Sequence, residues 1–284
     1  MIHKSASRLR RKIKLFMAII PDSYLNSVVS IGIRTASTEV AWIGTGFFVG
    51  RSTGNKKDEV YPLLVSNKHV YESNDAIVLR MKKRDSDELL LLDATLKNDN
   101  GSLCYVTHDM GNIDIAVLPL SAKCIVDNCF EFPCFNIDDN AMSSTELRSN
   151  GVDEGSIVYM LGFPMGLVNV SSNLPICRMG CISRMSANQI LEQHNILVDI
   201  QNFPGNSGSP IITRPEFVSI TGTPSLDSSV LVGIVHSYIP YQERLINSQT
   251  KEIVEIRSEN SGIAYVHPVE YIRDIINKIY PLCG

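Results

Sequence analysis

No part of this 284-residue chain comes near the run of roughly 18 to 20 apolar residues that a membrane-crossing helix requires. Surplus positive charge is missing too. Lys and Arg number 26 against 30 Asp and Glu, a formal net charge of -4. Without excess cations there is little to neutralise a phosphate backbone, so no nucleic-acid partner is expected. The seven cysteines, Cys104, Cys124, Cys129, Cys134, Cys177, Cys181 and Cys283, contain no CxxC pair. That spacing argues against a zinc site, and the odd number argues against a secreted disulfide framework. Free thiols in a reducing compartment follow, with a cytoplasmic location expected ahead of a periplasmic or secreted one. Neither a metal nor another cofactor is expected. Internal repeats and low-complexity tracts are absent, and the 44% apolar and 20% charged fractions are those of a protein with a full core.

The N-terminus carries a basic run, Lys4, Arg8, Arg10, Arg11, Lys12 and Lys14, followed by apolar Leu15 to Ile20. Pro21 and Asp22 then stop the apolar stretch, which is shorter than the roughly 7 to 15 residues of a secretory core. Residues 1–26 are therefore expected to hold a short amphipathic helix packed on the domain. Membrane contact is not expected, and contact with anionic lipid through the basic residues is the lesser alternative.

Beyond that point the chain alternates short apolar runs with turn signals. Val28–Ile33, Ala41–Val49, Tyr61–Ser66, Ala76–Met81, Glu88–Leu96, Ile113–Leu120, Ser156–Leu161, Ile196–Ile200, Pro210–Thr213, Val230–Val235 and Gly262–Val266 are predicted strands. Helical spacing recurs at the C-terminus, where Val269, Ile272, Ile275, Ile276 and Ile279 follow Pro268. Polar stretches at Arg51–Glu59, Asn98–Asn112, Asp138–Gly155, Arg214–Ser229 and Tyr241–Ser261 are predicted surface loops. Many short strands with one terminal helix define an all-β protein of barrels or a sandwich.

Three local patterns carry chemistry. In PGNSGSP (Pro204–Pro210), glycines flank Ser207. A hydroxyl is a weak nucleophile unless a base removes its proton and donors receive the oxyanion. Glycines let the backbone turn tightly enough to aim the N–H groups of Gly205 and Ser207 at one point. Alone, this is equally an ordinary turn. Leu63–Val70 runs an apolar strand into His69, and imidazole is the natural base near neutral pH. Alone, such a histidine is usually a surface residue. In Ile113–Leu120, Asp114 opens an apolar strand, where a carboxylate needs a partner if it is buried; His69 would be that partner. Of the other histidines, His3 and His108 lie in polar segments, His194 in a turn and His267 before a helix. Only His236 sits in an apolar strand. Asp109 competes with Asp114 but lacks its apolar frame. The chain order His, Asp, Ser is one of the known triad orders.

With these residues in place, the chain resembles the trypsin-like peptidases, and within them bacterial Deg/Htr-type protease domains without a PDZ module. GTGFFV (Gly44–Val49), SNKHV (Ser66–Val70), DIAVLPL (Asp114–Leu120), VYMLGFPMGL (Val158–Leu167), GCIS (Gly180–Ser183), VDIQNFPGNSGSP (Val198–Pro210), LVGIVHS (Leu231–Ser237) and GIAYVHP (Gly262–Pro268) carry the likeness in order. The resemblance implies two six-stranded antiparallel β-barrels, about 27–135 and about 155–284, within one protease domain over 27–284. It implies a serine endopeptidase with catalytic His69, Asp114 and Ser207, an oxyanion hole at Gly205 and Ser207, and a protein or peptide substrate. That substrate would add as a strand along Ile234–Tyr238. By spacing, Gln201 would sit at the base of the primary pocket, with Asn202 and Phe203 on one wall and His236, Ser237 and Tyr238 on the other. No acid is placed to receive Lys or Arg, because Asp199 lies two residues too early.

Three departures limit the likeness. Asn206 stands where an aspartate pairs with a newly cut N-terminus in digestive relatives, and an amide cannot make that ion pair. Ser209 replaces a glycine. No PDZ-like module follows Ser207, so oligomeric chaperone-protease behaviour is not carried over. Two other readings keep the same residues: a protease-like peptide-binding module without turnover, and a protease latent until an activating partner orders the loop at Gly205.

Overall fold

The structure, a computed structural model, describes residues 18–37, 39–54, 59–216, 222 and 224–281. The helix expected over the basic N-terminal run falls before residue 18, outside the described residues. The first described helix is one turn, α1 (Asp22–Asn26).

The first half contains β1 (Val28–Arg34), β2 (Val40–Ser52), β3 (Val60–Ser66), β4 (Ala76–Lys82), β5 (Leu89–Thr95), β6 (Val106–Thr107), β7 (Ala116–Pro119) and β8 (Phe135–Asn136). They form one sheet ordered β5-β4-β1-β2-β3-β7-β6, with β8 parallel to β2. The second half contains β9 (Ile157–Gly162), β10 (Ile176–Arg184), β11 (Ile196–Asp199), β12 (Pro210–Thr213), β13 (Leu231–Ile246) and β14 (Ile253–Pro268). These close into a six-stranded barrel, β10-β11-β14-β13-β12-β9.

The expectation of a closed six-stranded first barrel is therefore not met. The sheet has eight strands and two free ends, β5 and β6. β6 is only two residues long. The segment before it turns through Asn98–Ser102, joined by a single bridge between Lys97 and Leu103. Asn, Asp and Gly in this segment favour a turn over a ladder, and Leu96 and Tyr105 bury themselves from loop positions.

Short apolar runs without polar alternation have a direct reason: the sheet is buried on both faces. Side chains alternate across a strand, so Phe47, Val49, Leu63, Val65 and Val117 enter one core. Their neighbours Phe48, Leu64, Ala116 and Leu118 enter another, enclosed by the sheet itself. The first of these cores is shared. Tyr159 and Leu161 from β9, Ile212 from β12 and Leu231 and Ile234 from β13 reach it from the outer face of the barrel. The barrel interior is a third core, filled by Val158, Met160, Val198, Ile211, Val232 and Val266.

Other differences from expectation have local causes. Tyr241–Ser261 is not a loop: β13 and β14 run on as a hairpin, with Tyr241 opposite Glu259 and Leu245 opposite Glu255. Both faces of this ribbon are exposed, so its strands carry no burial alternation to read. Four short helices also went unpredicted: α2 (Lys68–Glu72), α3 (Ala122–Asp127), α4 (Ser144–Ser149) and α5 (Ala187–Gln193). α4 does carry a sequence signal, because Ser143 and Glu146 form a reciprocal capping box.

The C-terminal helix, α6 (Val269–Ile279), forms as its spacing predicts. Val269, Ile272, Ile275 and Ile276 are buried in the shared core, each side chain worth about 1.5–3 kcal/mol by area. α6 thus binds the two halves together. Ile276→Ala is expected to lower stability by about 2–5 kcal/mol through lost burial and the cavity it leaves. Denaturant unfolding checks this; an unchanged midpoint would show that α6 does not hold the shared core.

Candidate active site

His69 is delivered by β3. Buried Leu64 and Val65 lock the strand, and buried Ser66 donates its hydroxyl to the Thr45 carbonyl at 2.7 Å. The chain then turns into α2, so His69 stands in a one-turn helix and not on the strand edge. Buried Asn67 fixes the corner by donating its side-chain amide to the Asp114 carbonyl at 2.7 Å.

Asp114 precedes β7, which starts at Ala116 and not at Ile113 as expected. Ile113 and Ile115 plunge into the shared core on either side of it. Both carboxylate oxygens hold His69. Oδ2 lies 2.5 Å from His69 Nδ1, and Oδ1 accepts the His69 backbone N–H at 3.0 Å. Burial pushes the Asp114 carboxyl up, but the His69 hydrogen bonds and charge, with a smaller contribution from His236, carry it below the usual carboxylate range. An ionised Asp114 holding Nδ1–H leaves His69 Nε2 as the exposed, basic nitrogen.

Ser207 sits in a turn seated against β2. Thr45 N–H donates to the Ser207 carbonyl at 2.9 Å, and Thr45 Oγ1 donates to the Gly205 carbonyl at 2.7 Å. The same Oγ1 accepts the Phe163 N–H at 3.0 Å. Gly208, at φ +88°, has no room for a side chain: a Cβ would lie 2.0 Å from the Thr45 carbonyl and 2.5 Å from Ser66 Oγ. The serine turn is thereby pressed onto the strand pair that carries His69. Among the described residues no hydrogen bond joins Ser207 Oγ to His69 Nε2; such contacts commonly tighten only when substrate binds.

Two N–H groups of this turn remain available. The Pro204 carbonyl accepts the Met165 N–H at 2.5 Å, and the Asn206 carbonyl accepts the Ser209 N–H at 2.9 Å. In a trans peptide the next N–H points the opposite way. Gly205 N–H and Ser207 N–H are turned outward accordingly, and neither makes a hydrogen bond among the described residues. Gly205 adopts φ +93°, and a Cβ there would meet the Phe163 carbonyl at 2.5 Å. Met165 itself is left-handed, at φ 56°.

The expected pocket residues partly converge. Asn202 donates its amide to the Ser237 carbonyl at 3.2 Å, joining the two walls, and Asn260 donates to the Asn202 carbonyl. Gln201 is exposed and lies beside Gly262. Tyr238 is exposed, and Phe203 carries the Arg178 guanidinium 5.1 Å above its ring centroid. His236 does not stand free on a wall. Its ring stacks on His267 at 4.0 Å, while Nε2 pairs with Asn195 Oδ1 at 2.8 Å and Nδ1 with Ser237 Oγ at 3.0 Å.

Thr45 and His267 are the residues that sequence reasoning missed. A lone hydroxyl between Gly44 and Gly46 in an apolar strand was the available signal for Thr45. Nothing in sequence marks His267, because its partners come from distant segments.

A closed barrel beside a curled sheet, with this histidine–aspartate pair and glycine-flanked serine turn where they meet, is consistent with a chymotrypsin-like fold. The family model for the trypsin-like peptidase domain matches residues 44–218, more than half of the chain, and the chain belongs to that family. His69, Asp114 and Ser207 all fall within the match. No curated protein is matched.

The buried histidines set a pH dependence. Burial, then neighbouring His267, pushes His236 down to about 3, and burial also lowers His267. His236 stays neutral in the fold and His267 resists protonation, while the unfolded chain takes up their protons below about pH 6.5. The unfolded state then binds more protons, so stability falls as pH falls. His236 alone gives about 2 kcal/mol between about pH 6.5 and about pH 5. Urea unfolding at those two values checks this; equal stabilities would mean the rings are protonated in the fold.

Proposed function

We propose that the chain is a serine endopeptidase working through an acyl-enzyme. The observation that carries this is the His69–Asp114 pair, with both carboxylate oxygens engaged, beside a serine turn with two outward N–H donors. Ser207 Oγ attacks the peptide carbonyl as His69 Nε2 takes its proton, and ionised Asp114 stabilises the imidazolium. The tetrahedral oxyanion faces Gly205 N–H and Ser207 N–H, donors already aimed and therefore needing no reorganisation. Collapse breaks the C–N bond while His69 returns the proton to the leaving amine. Water, deprotonated by His69, then attacks the ester and releases Ser207.

The substrate is a protein or peptide lying as an added strand along Ile234–Tyr238. Gln201 and Asn202 make the primary pocket polar and uncharged, favouring an uncharged side chain before the cut bond. The motif order also supports a bacterial Deg/Htr-type domain, and the free thiols among the described residues support a cytoplasmic location. The missing Ser207–His69 hydrogen bond favours one second reading, a latent form that needs a partner. The outward Gly205 N–H speaks against it, because the Pro204 carbonyl is already turned away.

A peptide-library cleavage assay tests the proposal. The wild type is expected to cleave after uncharged residues, and Ser207→Ala to lose cleavage. Gly205→Ala, which drives a Cβ into the Phe163 carbonyl, is expected to lower kcat about 100- to 1,000-fold by displacing a donor. Cleavage that survives Ser207→Ala would overturn the nucleophile; none from the wild type alone or with candidate activators would favour a binding module.

A further inference from the structure

Asp114 is held from three directions, and one holder is a histidine far away in sequence. The Asp114 carbonyl takes the Asn67 amide, and its carboxylate takes His69. Its own backbone N–H donates to His267 Nε2 at 3.0 Å. A strand residue would give that N–H to a ladder, but Asp114 lies before β7 and has no strand partner. A side-chain acceptor fills the place.

The geometry also selects the tautomer of that acceptor. His267 Nδ1 lies 2.9 Å from the His194 carbonyl, which can only accept. The proton therefore sits on Nδ1, and Nε2 is a bare lone pair aimed at Asp114. His194 presents its carbonyl from a left-handed position at the end of α5, and its ring bonds the Tyr271 hydroxyl at 2.8 Å. The His267 ring is 1% exposed, flat against His236 and edge-on to Tyr271. Packing on both rings and the two hydrogen bonds hold it in this orientation.

We propose that His267 is a positioning residue: its neutral Nε2 fixes the Asp114 backbone and, through the carboxylate, the plane and tautomer of His69. This rests on the reading of His69, Asp114 and Ser207 as a triad. Without the acceptor, a buried N–H loses its partner and the Asp114 segment shifts to find another. Displacements of about 1 Å in such a constellation can cost about 100-fold in rate.

The test compares His267→Leu, which keeps bulk without an acceptor, with His267→Gln, which returns an acceptor oxygen. For His267→Leu, kcat is expected to fall roughly 10- to 100-fold with KM within about twofold. For His267→Gln, kcat is expected to recover most of that loss. In NMR spectra the His69 Nδ1–H resonance should move in His267→Leu and return in His267→Gln. Equal kcat in wild type and His267→Leu would overturn the proposal, as would a Gln variant no better than Leu. The wild type supplies a measurement that needs no variant to fold: a through-bond coupling between the Asp114 amide nitrogen and His267 Nε2. Its presence is expected, and its absence would remove the hydrogen bond. These spectra remain informative if the wild type cleaves nothing, so failure of the triad reading is told apart from failure of this one.

Discussion

Thr45 is the point on which the site depends. Its amide, hydroxyl and carbonyl hold the Ser207 carbonyl, the Gly205 carbonyl, the Phe163 amide and the Ser66 hydroxyl. The residue is fully buried, so each bond is made away from competing water, where an unmade one costs most. These bonds join three separate stretches: the end of β3 that leads to His69, the serine turn, and the segment that anchors Pro204. A strand residue in the first half therefore sets the position of a nucleophile carried by the second.

That arrangement requires two halves that do not slide. The shared core supplies this, since β2, β3 and β7 turn alternate side chains towards β9, β12 and β13, and α6 covers the join. Close-packed interiors accept few alternative arrangements. Relative motion of the halves would strip several large apolar side chains of their contacts at once. The first sheet does not need to close for this purpose. Its middle strands supply most of the residues that face the barrel, and the β6 end is fixed by pairing with β7 and by Val106 packed against the shared core.

Much of this was legible in sequence for a physical reason. His69 and Asp114 each sit at the end of an apolar run, which burial on both faces makes continuous and easy to find, and Ser207 stands out by its flanking glycines. α6 was legible from its spacing of three and four. The hairpin beyond Pro240 was not, because an exposed ribbon buries neither face and leaves no alternation. The open first sheet was not, because closure depends on whether residues near Asn98 pair across a gap. His236 was legible as a strand histidine but not as the stacking partner of His267, and the role of His267 was not legible, because these are contacts between distant segments. Asn206 was legible as a departure, and its buried amide finds no hydrogen-bond partner among the described residues.

The central claim is that Ser207 is an activated nucleophile. The most direct measurement is the intact mass of the protein after exposure to a fluorophosphonate, followed by peptide mapping of the adduct. One phosphonyl group on Ser207, formed with loss of fluoride and blocked by prior denaturation, is the predicted result. An unmodified Ser207 with and without candidate activators, or an adduct on another residue, would contradict it.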